Sequence, residues 1–280
     1  MRENLYIRIS SQESDAIQWL ITADDQVDEI ASGEIANKDA LVELSEKAVN
    51  RDVKVIVDGA SIRLHSLAVP GKAERAMRAA APYMLEDELA DDVEDLFFAF
   101  ANKPKGMETS HNTFMALVAH QQIERWLSWF DDADITVKSM IPDTLLMPIT
   151  DNSWSAITIA QQLLVRTGFW QGFTIEQNNS QFLFDQLLAG IESPQRIEHY
   201  SPLELINSNV ELDAQPEELA MHLLAKSYDH ANFNLLQGEY AVKEKRSPVI
   251  KNWLWVAGFA AVALLLNIIG KVVELQQLDG

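Results

Sequence analysis

The chain has 280 residues, 22 Lys and Arg against 42 Asp and Glu, a formal net charge of -20, and no cysteine. This balance argues against a nucleic-acid binder, because phosphate contacts need clustered basic side chains that release counterions. Without cysteine there is no disulfide, no thiolate nucleophile and no sulfur-ligated metal, which suits a reducing cytoplasm.

Leu5 to Ser10 alternates apolar and polar positions in the manner of a half-buried strand, and Ala16 to Ile21 follows it as the second arm of a hairpin. A third strand is expected at Glu29 to Ile35, then a helix from Asn37 to Asn50 with Leu41, Leu44 and Ala48 on one face. Val53 to Val57 is rich in β-branched residues, as in a strand covered on both sides. Ser61 to Val69 reads as another strand, closed by Pro70 and Gly71. Lys72 to Ala81 reads as a helix that Pro82 kinks or restarts, and Tyr83 to Asp91 carries it on with Leu85 and Leu89. Val93 to Ala101 returns to strand. Thr113 to Ala119 has the character of a buried strand rejoining the first sheet. His120 to Asp132 is an amphipathic helix whose Trp126, Trp129 and Phe130 read as core ahead of interface, with aromatics enough on two turns to serve both, and Ile135 to Met140 leads as a strand into Ile141, Pro142 and Asp143.

The same opening then repeats. Strands are expected at Ser155 to Ala160, Leu163 to Thr167 and Trp170 to Ile175, a helix at Ser180 to Ile191, and a strand at Arg196 to Tyr200. A further helix closes the unit at Glu217 to Ser227. Two strand-strand-strand-helix-strand halves, with a small strand-helix-strand insertion in the first, predict an α/β (α+β) chain with an actin-like, RNase H-like two-lobed domain. The expected boundaries are 1–58 with 112–146 for the first lobe, 59–111 for the insertion and 147–240 for the second lobe.

A basic linker at 241–252, with Lys243, Lys245, Arg246 and Lys251, precedes an apolar run from Trp253 to Val273. That run spans roughly 30 Å as a helix, enough to cross a hydrocarbon core. Its lipid-facing candidates are Trp253, Leu254, Trp255, Val256, Phe259, Leu264, Leu265, Leu266, Ile268 and Ile269. Basic residues crowd the upstream flank, which predicts a cytoplasmic N-terminal domain. Each linker charge is expected to gain about 1 kcal/mol beside anionic phospholipid. Residues 274–280 read as the start of a periplasmic region whose domain is missing from this sequence.

Candidate chemistry is sparse. An actin-like ATPase grips phosphates with glycine-bearing hairpin turns, because glycine lets backbone amides approach the oxygens closely. Here the turns read Arg8 to Gln12 and Ile159 to Leu163, and neither holds glycine. The six histidines form no close metal pair, and no catalytic, cofactor or metal residue is assigned. The densest feature is acidic. Glu86, Asp87, Glu88, Asp91, Asp92, Glu94 and Asp95 fall within ten positions on what reads as a helix end, either solvated or a dock for a basic partner.

Pro82 to Phe98 resembles the P-Y-x-L-E-D-x-x-A-x-D-V-E-D-x-H-F pattern of the protein L family of bacterial type II secretion. Leu5 to Trp19 with its R-x-S-S-Q core, the stretch from Pro142 to Pro148, and Phe233-Asn-Leu-Leu-Gln-Gly-Glu-Tyr240 agree as well. Phe97 stands where the pattern has histidine, and is assigned no function. The resemblance implies an actin-like cytoplasmic domain without ATPase activity, a single inner-membrane span and a homodimer. It also implies binding to the N-terminal domain of the secretion ATPase, with secretion protein M as a neighbour. The competing class is a membrane-anchored actin-like nucleotide-binding protein or ATPase related to type IV pilus assembly, which titration with Mg-ATP would distinguish.

Overall fold

A computed structural model describes residues 3–23, 29–68, 74–102, 112–150, 152–189, 194–206 and 209–242. The chain divides into a compact unit, Met1–Ala241, and a second unit, Val242–Gly280. The basic linker from Lys243 onward and the apolar run from Trp253 lie outside the described residues. Among the described residues, no helix is long and apolar enough to cross a membrane.

The fold is mixed α/β. Strands β1 (Glu3–Ile9), β2 (Ile17–Ala23) and β3 (Glu29–Ile35) form an antiparallel meander, and β4 (Arg51–Val57) lies parallel to β1. The burial of Val53, Val55, Ile56 and Val57 matches the covered strand expected from β-branching. The helix expected from Asn37 to Asn50 is instead a 3-10 stretch, Lys38–Leu44, followed by the short α1 (Ser45–Ala48). Leu41 and Leu44 still face the core. Asn50 ends the turn in the left-handed region at φ 62, a conformation asparagine tolerates better than most residues.

Strand β5 (Arg63–Ala68), helix α2 (Glu74–Leu85), strand β6 (Leu96–Phe100) and strand β7 (Asn112–Ala119) follow. Pro82 sits inside α2 without ending it. One expectation is corrected here: β7 does not rejoin the first sheet but forms the centre of a three-stranded antiparallel sheet, β5-β7-β6. The reason is visible in its two faces. Met115 and Leu117 pack with Met77, Ala81 and Leu85 of α2, while Phe114, Ala116 and Val118 face the main core, so the strand is apolar on both sides wherever it pairs. Helix α3 (His120–Asp132) buries Ile123, Trp126, Trp129 and Phe130, and β8 (Val137–Pro142) completes the first sheet in the order β3-β2-β1-β4-β8.

The second half repeats that order. Strands β9 (Trp154–Ile159), β10 (Gln162–Gly168) and β11 (Gln171–Glu176) form the antiparallel meander, α4 (Ser180–Leu187) crosses over, and β12 (Gln195–His199) lies parallel to β9. A fifth strand, β13 (Val210–Ala214), was not expected. It pairs in parallel with β12 and gives the order β11-β10-β9-β12-β13. Helix α5 (Ala220–Tyr228) then packs Leu224 and Tyr228 into the main core. Arg166 of β10 is buried and donates to the carbonyls of Met147, Gly168 and Phe169 at 2.8, 3.1 and 2.7 Å, tying the chain between the two large sheets to the β10–β11 hairpin. Its burial pulls the guanidinium down to about 10.

Candidate functional site

The two hairpin turns singled out in the sequence face one another, and a polar network fills the space between them. Strand β1 supplies Arg8, the end of β4 supplies Asp58 and Gly59, and the end of β8 supplies Asp143. The β9–β10 turn supplies Gln162, and β11 supplies Thr174. Arg8 donates to Asp143 Oδ2 from Nε at 3.2 Å and from Nη2 at 2.9 Å, and Nη2 also donates to Gln162 Oε1 at 2.6 Å. Gln162 returns a bond from Nε2 to Asp58 Oδ2 at 3.0 Å, so one side-chain amide is held at both ends by the first half of the chain. Asp143 Oδ1 accepts from the Gly59 N–H at 2.9 Å and the Thr174 hydroxyl at 3.3 Å, and Asp58 Oδ1 accepts from the Ala60 N–H at 2.8 Å. Gly59 is required by this approach, since a Cβ there would lie 2.8 Å from Asp143 Oδ1 and from the Thr144 methyl.

The side chains of Arg8 and Asp143 are 2% and 0% exposed. Burial pushes the Asp143 carboxyl up to about 6, against the pull of the Arg8 guanidinium and the Gly59 N–H, so it is ionised at neutral pH. Both Asp58 and Asp143 have their oxygens engaged by donors of the protein itself. The groove beside this network, about 720 Å³, is lined by Arg8 and Gln162 of the network itself, with Asp15, Glu34 and Glu176 beside Ser10, Gln161 and Asn178. Three carboxylates and one guanidinium thus share its wall. The first turn is closed by Ser10, whose hydroxyl donates to Asp15 Oδ2 at 2.6 Å and accepts from the Gln12 N–H at 3.0 Å, and Trp126 Nε1 donates to the Ser10 carbonyl at 2.8 Å. Arg8, Ser10 and Gln12 are three of the four fixed letters of the R-x-S-S-Q core, and each has a partner in this turn or network.

The acidic stretch is not a helix. Helix α2 stops at Leu85, Glu86–Glu88 forms one 3-10 turn, Leu89 is extended, and Val93–Asp95 forms a second 3-10 turn before β6. Seven carboxylates in ten positions repel one another, and the break at Leu89 spreads them along a surface rather than stacking them on one helix. All seven acids are exposed. Among the described residues Asp91 pairs with Arg63 at 3.0 Å, and the other six form no ion pair. Glu86, Asp92, Glu94 and Asp95 border a groove of about 780 Å³ that also takes in Tyr83, Leu96, Phe98 and His120. Tyr83 is 75% exposed. The acids do not converge on a point, and among the described residues no group of three or more His, Asp or Glu could hold a metal ion.

The other sequence-predicted site residues, Lys243, Lys245, Arg246, Lys251 and the apolar positions from Trp253 to Ile269, lie outside the described residues. The network of Arg8, Asp58, Asp143 and Gln162 was not anticipated. Its only sequence signal is that Arg8 and Asp143 fall in two of the four stretches that carry the family resemblance.

Comparison with known proteins agrees with that resemblance. The family model described as type II secretion system (T2SS), protein L, matches residues 5–243. The type II secretion system protein L of Vibrio cholerae serotype O1 is 30% identical over 285 residues, covering 99% of this chain and 68% of the relative. That of Dickeya chrysanthemi is 26% identical over 272 residues, covering 97% of this chain and 65% of the relative. The chain therefore spans about two thirds of the length of these relatives. Among solved structures, the cytoplasmic domain of EpsL, an inner membrane component of the type II secretion system of Vibrio cholerae, superimposes with a TM-score of 0.76 at 29% identity, covering 85% of this chain and 99% of that one. This chain belongs to the type II secretion system protein L family.

Proposed function

We propose that the chain is a non-enzymatic inner-membrane adaptor of type II secretion. It recruits the cytoplasmic secretion ATPase through that protein's N-terminal domain and couples it to the inner-membrane platform, with secretion protein M as a neighbour and a homodimer as the working unit. The observation that carries this reading is Arg8. Its guanidinium, with Asp143 and Gln162, occupies the crevice between the two large sheets where a nucleotide of an actin-like ATPase would need phosphate-binding backbone. The repeated strand order of those sheets supports the actin-like architecture. A body of this kind, with its two turns bridged by side chains, works through surfaces, and the acidic stretch from Glu86 to Asp95 is the surface we assign to the motor.

The body is tethered. Trp253 to Val273 is read as the single span, and Lys243, Lys245, Arg246 and Lys251 as the cytoplasmic flank that rests on anionic phospholipid. Confinement near the membrane raises the local concentration of a bound motor without any added contact. Deleting Trp253 to Ile269 tests this: binding to the motor stays measurable in solution while both proteins leave the membrane fraction. Unchanged sedimentation with membranes would overturn the tethering.

A further inference from the structure

The segment from Phe233 to Tyr240 straps the outside of the body, and its two halves are held in different ways. The inner half is buried. Phe233 stands edge-on to Trp170 with ring centroids 5.1 Å apart, and Leu235 and Leu236 enter the main core. The Leu235 N–H donates to the Met140 carbonyl at 2.8 Å, and Asn234 Oδ1 accepts from the Met140 N–H at 2.9 Å, so the outer edge of β8 is capped. The outer half is held by two side-chain clasps. Gln237 accepts from the Phe100 N–H at 3.2 Å and donates to the Phe100 carbonyl at 2.9 Å, imitating a strand beside β6. The Tyr240 hydroxyl lies 2.7 Å from His120 Nδ1, and its ring stands edge-on to Phe97 at 5.0 Å.

Between the clasps Gly238 turns at φ 56, which a residue without Cβ adopts freely. The N–H groups of Tyr240 and Ala241 bond only to carbonyls within the same short segment, those of Gln237 and Gly238, at 3.0 and 3.3 Å. Gly238 and Glu239 are exposed. Buried apolar side chains thus seat the inner half, whereas the outer half depends on a few hydrogen bonds that water can replace and on the Tyr240 ring against Phe97, with Glu239 3.8 Å from His120 Nδ1.

We propose that residues 237–240 are a latch that opens as a unit when the chain beyond them is displaced, while Phe233 to Leu236 stay seated. Release frees four residues and adds on the order of 14 Å to the reach between the body and whatever the following chain is fixed to. Release also bares the face of Phe97 that Tyr240 covers, so the latch opens at the cost of one edge-on ring contact as well as its hydrogen bonds. For its role at the membrane the latch rests on the tethered reading given above; its opening does not.

Hydrogen exchange on the full chain in detergent micelles reads the latch directly. The Tyr240 and Ala241 amides exchange at least about tenfold faster than that of Leu235, as a local opening separate from global unfolding requires. In a Gln237→Ala, Tyr240→Ala double variant these two amides speed up by a further factor of about ten, the loss of roughly one net hydrogen bond's worth of protection, with Leu235 unchanged. Tyr240→Phe, which keeps the ring on Phe97 and loses the bond to His120, falls between. Equal protection of Tyr240, Ala241 and Leu235 in the native chain would overturn the proposal, as would Leu235 accelerating in step with the other two. A chain that failed to partition into membranes but kept this exchange pattern would remove the tether and leave the latch standing.

Discussion

Replacing Arg8 by methionine tests the buried Arg8–Asp143 pair most directly. The change keeps much of the aliphatic bulk and removes the guanidinium, leaving Asp143 with no cation at a position that is 0% exposed. Removing one member of a buried ion pair costs about 3–5 kcal/mol, because the charge left behind is uncompensated. That is a large share of the roughly 5–15 kcal/mol by which a domain is stable. The loss also has a pH signature. The folded-state value of Asp143, about 6, already exceeds its ordinary 3.8, so between those values the folded state binds more protons than the unfolded state and stability falls as pH rises. Without Arg8 the carboxyl climbs further. The decline then continues above pH 6, at up to about 1.4 kcal/mol per pH unit. Urea unfolding of residues 1–242, followed by tryptophan fluorescence, measures this in a fragment that corresponds to the relative's separately solved cytoplasmic domain. We expect a deficit near the upper end of that range at pH 8 and a clearly smaller one at pH 5, with Asp143→Asn added to Arg8→Met recovering most of the pH 8 loss. A deficit under about 1 kcal/mol, or the same deficit at both pH values, would refute the reasoning, since a buried unpaired charge can give neither.

Gly59→Ala drives a methyl to 2.8 Å from Asp143 Oδ1 and the Thr144 methyl, and 2.9 Å from the Thr174 hydroxyl, so a loss of about 1–3 kcal/mol in thermal unfolding is expected; an unchanged midpoint would mean that the β4–β8 approach is loose. Charge reversal to lysine at Glu86, Asp87, Asp91 and Asp92 leaves stability within about 0.5 kcal/mol per site, since the four are exposed. The same variant weakens motor binding and flattens its salt dependence in titrations at two ionic strengths. Native affinity with a native salt slope would return the acidic stretch to an ordinary solvated surface.

Local patterns carried the architecture where one period dominates. The meanders at β1–β3 and β9–β11 and the apolar stripe of α3 were legible because alternation or helical spacing extends over a full element. Trp126, Trp129 and Phe130 proved to be core for the same reason. β7 was legible as a strand but not as a member of any sheet, because a strand buried on both faces reads alike in either place. β13 escaped notice since only Val210 and Leu212 carry its apolar face, on a short edge strand that also bears Glu211 and Asp213. At Glu86 to Asp95 helical spacing misled, because Leu85 and Leu89 at i and i+4 supported a helix that charge repulsion and an extended Leu89 interrupt.

The crevice was illegible for a different reason: its bonds join residues 135 and 154 positions apart, which no local period records. What the sequence offered there was two turns without glycine, and the structure adds the side-chain network that joins them. Ala160 and Gln161 take positive φ values of 48 and 63 in the second turn at some cost in strain. The network has a mechanical consequence. Gln162 is bound by Arg8 on one side and Asp58 on the other, so the halves of the body are held together by groups that neither dissociate nor turn over. The placement of one half against the other is thus set by the chain's own side chains, and the first point expected to yield is at the Gln237 and Tyr240 clasps proposed above as a latch. A fixed body with a yielding attachment is the arrangement that the adaptor role proposed above requires.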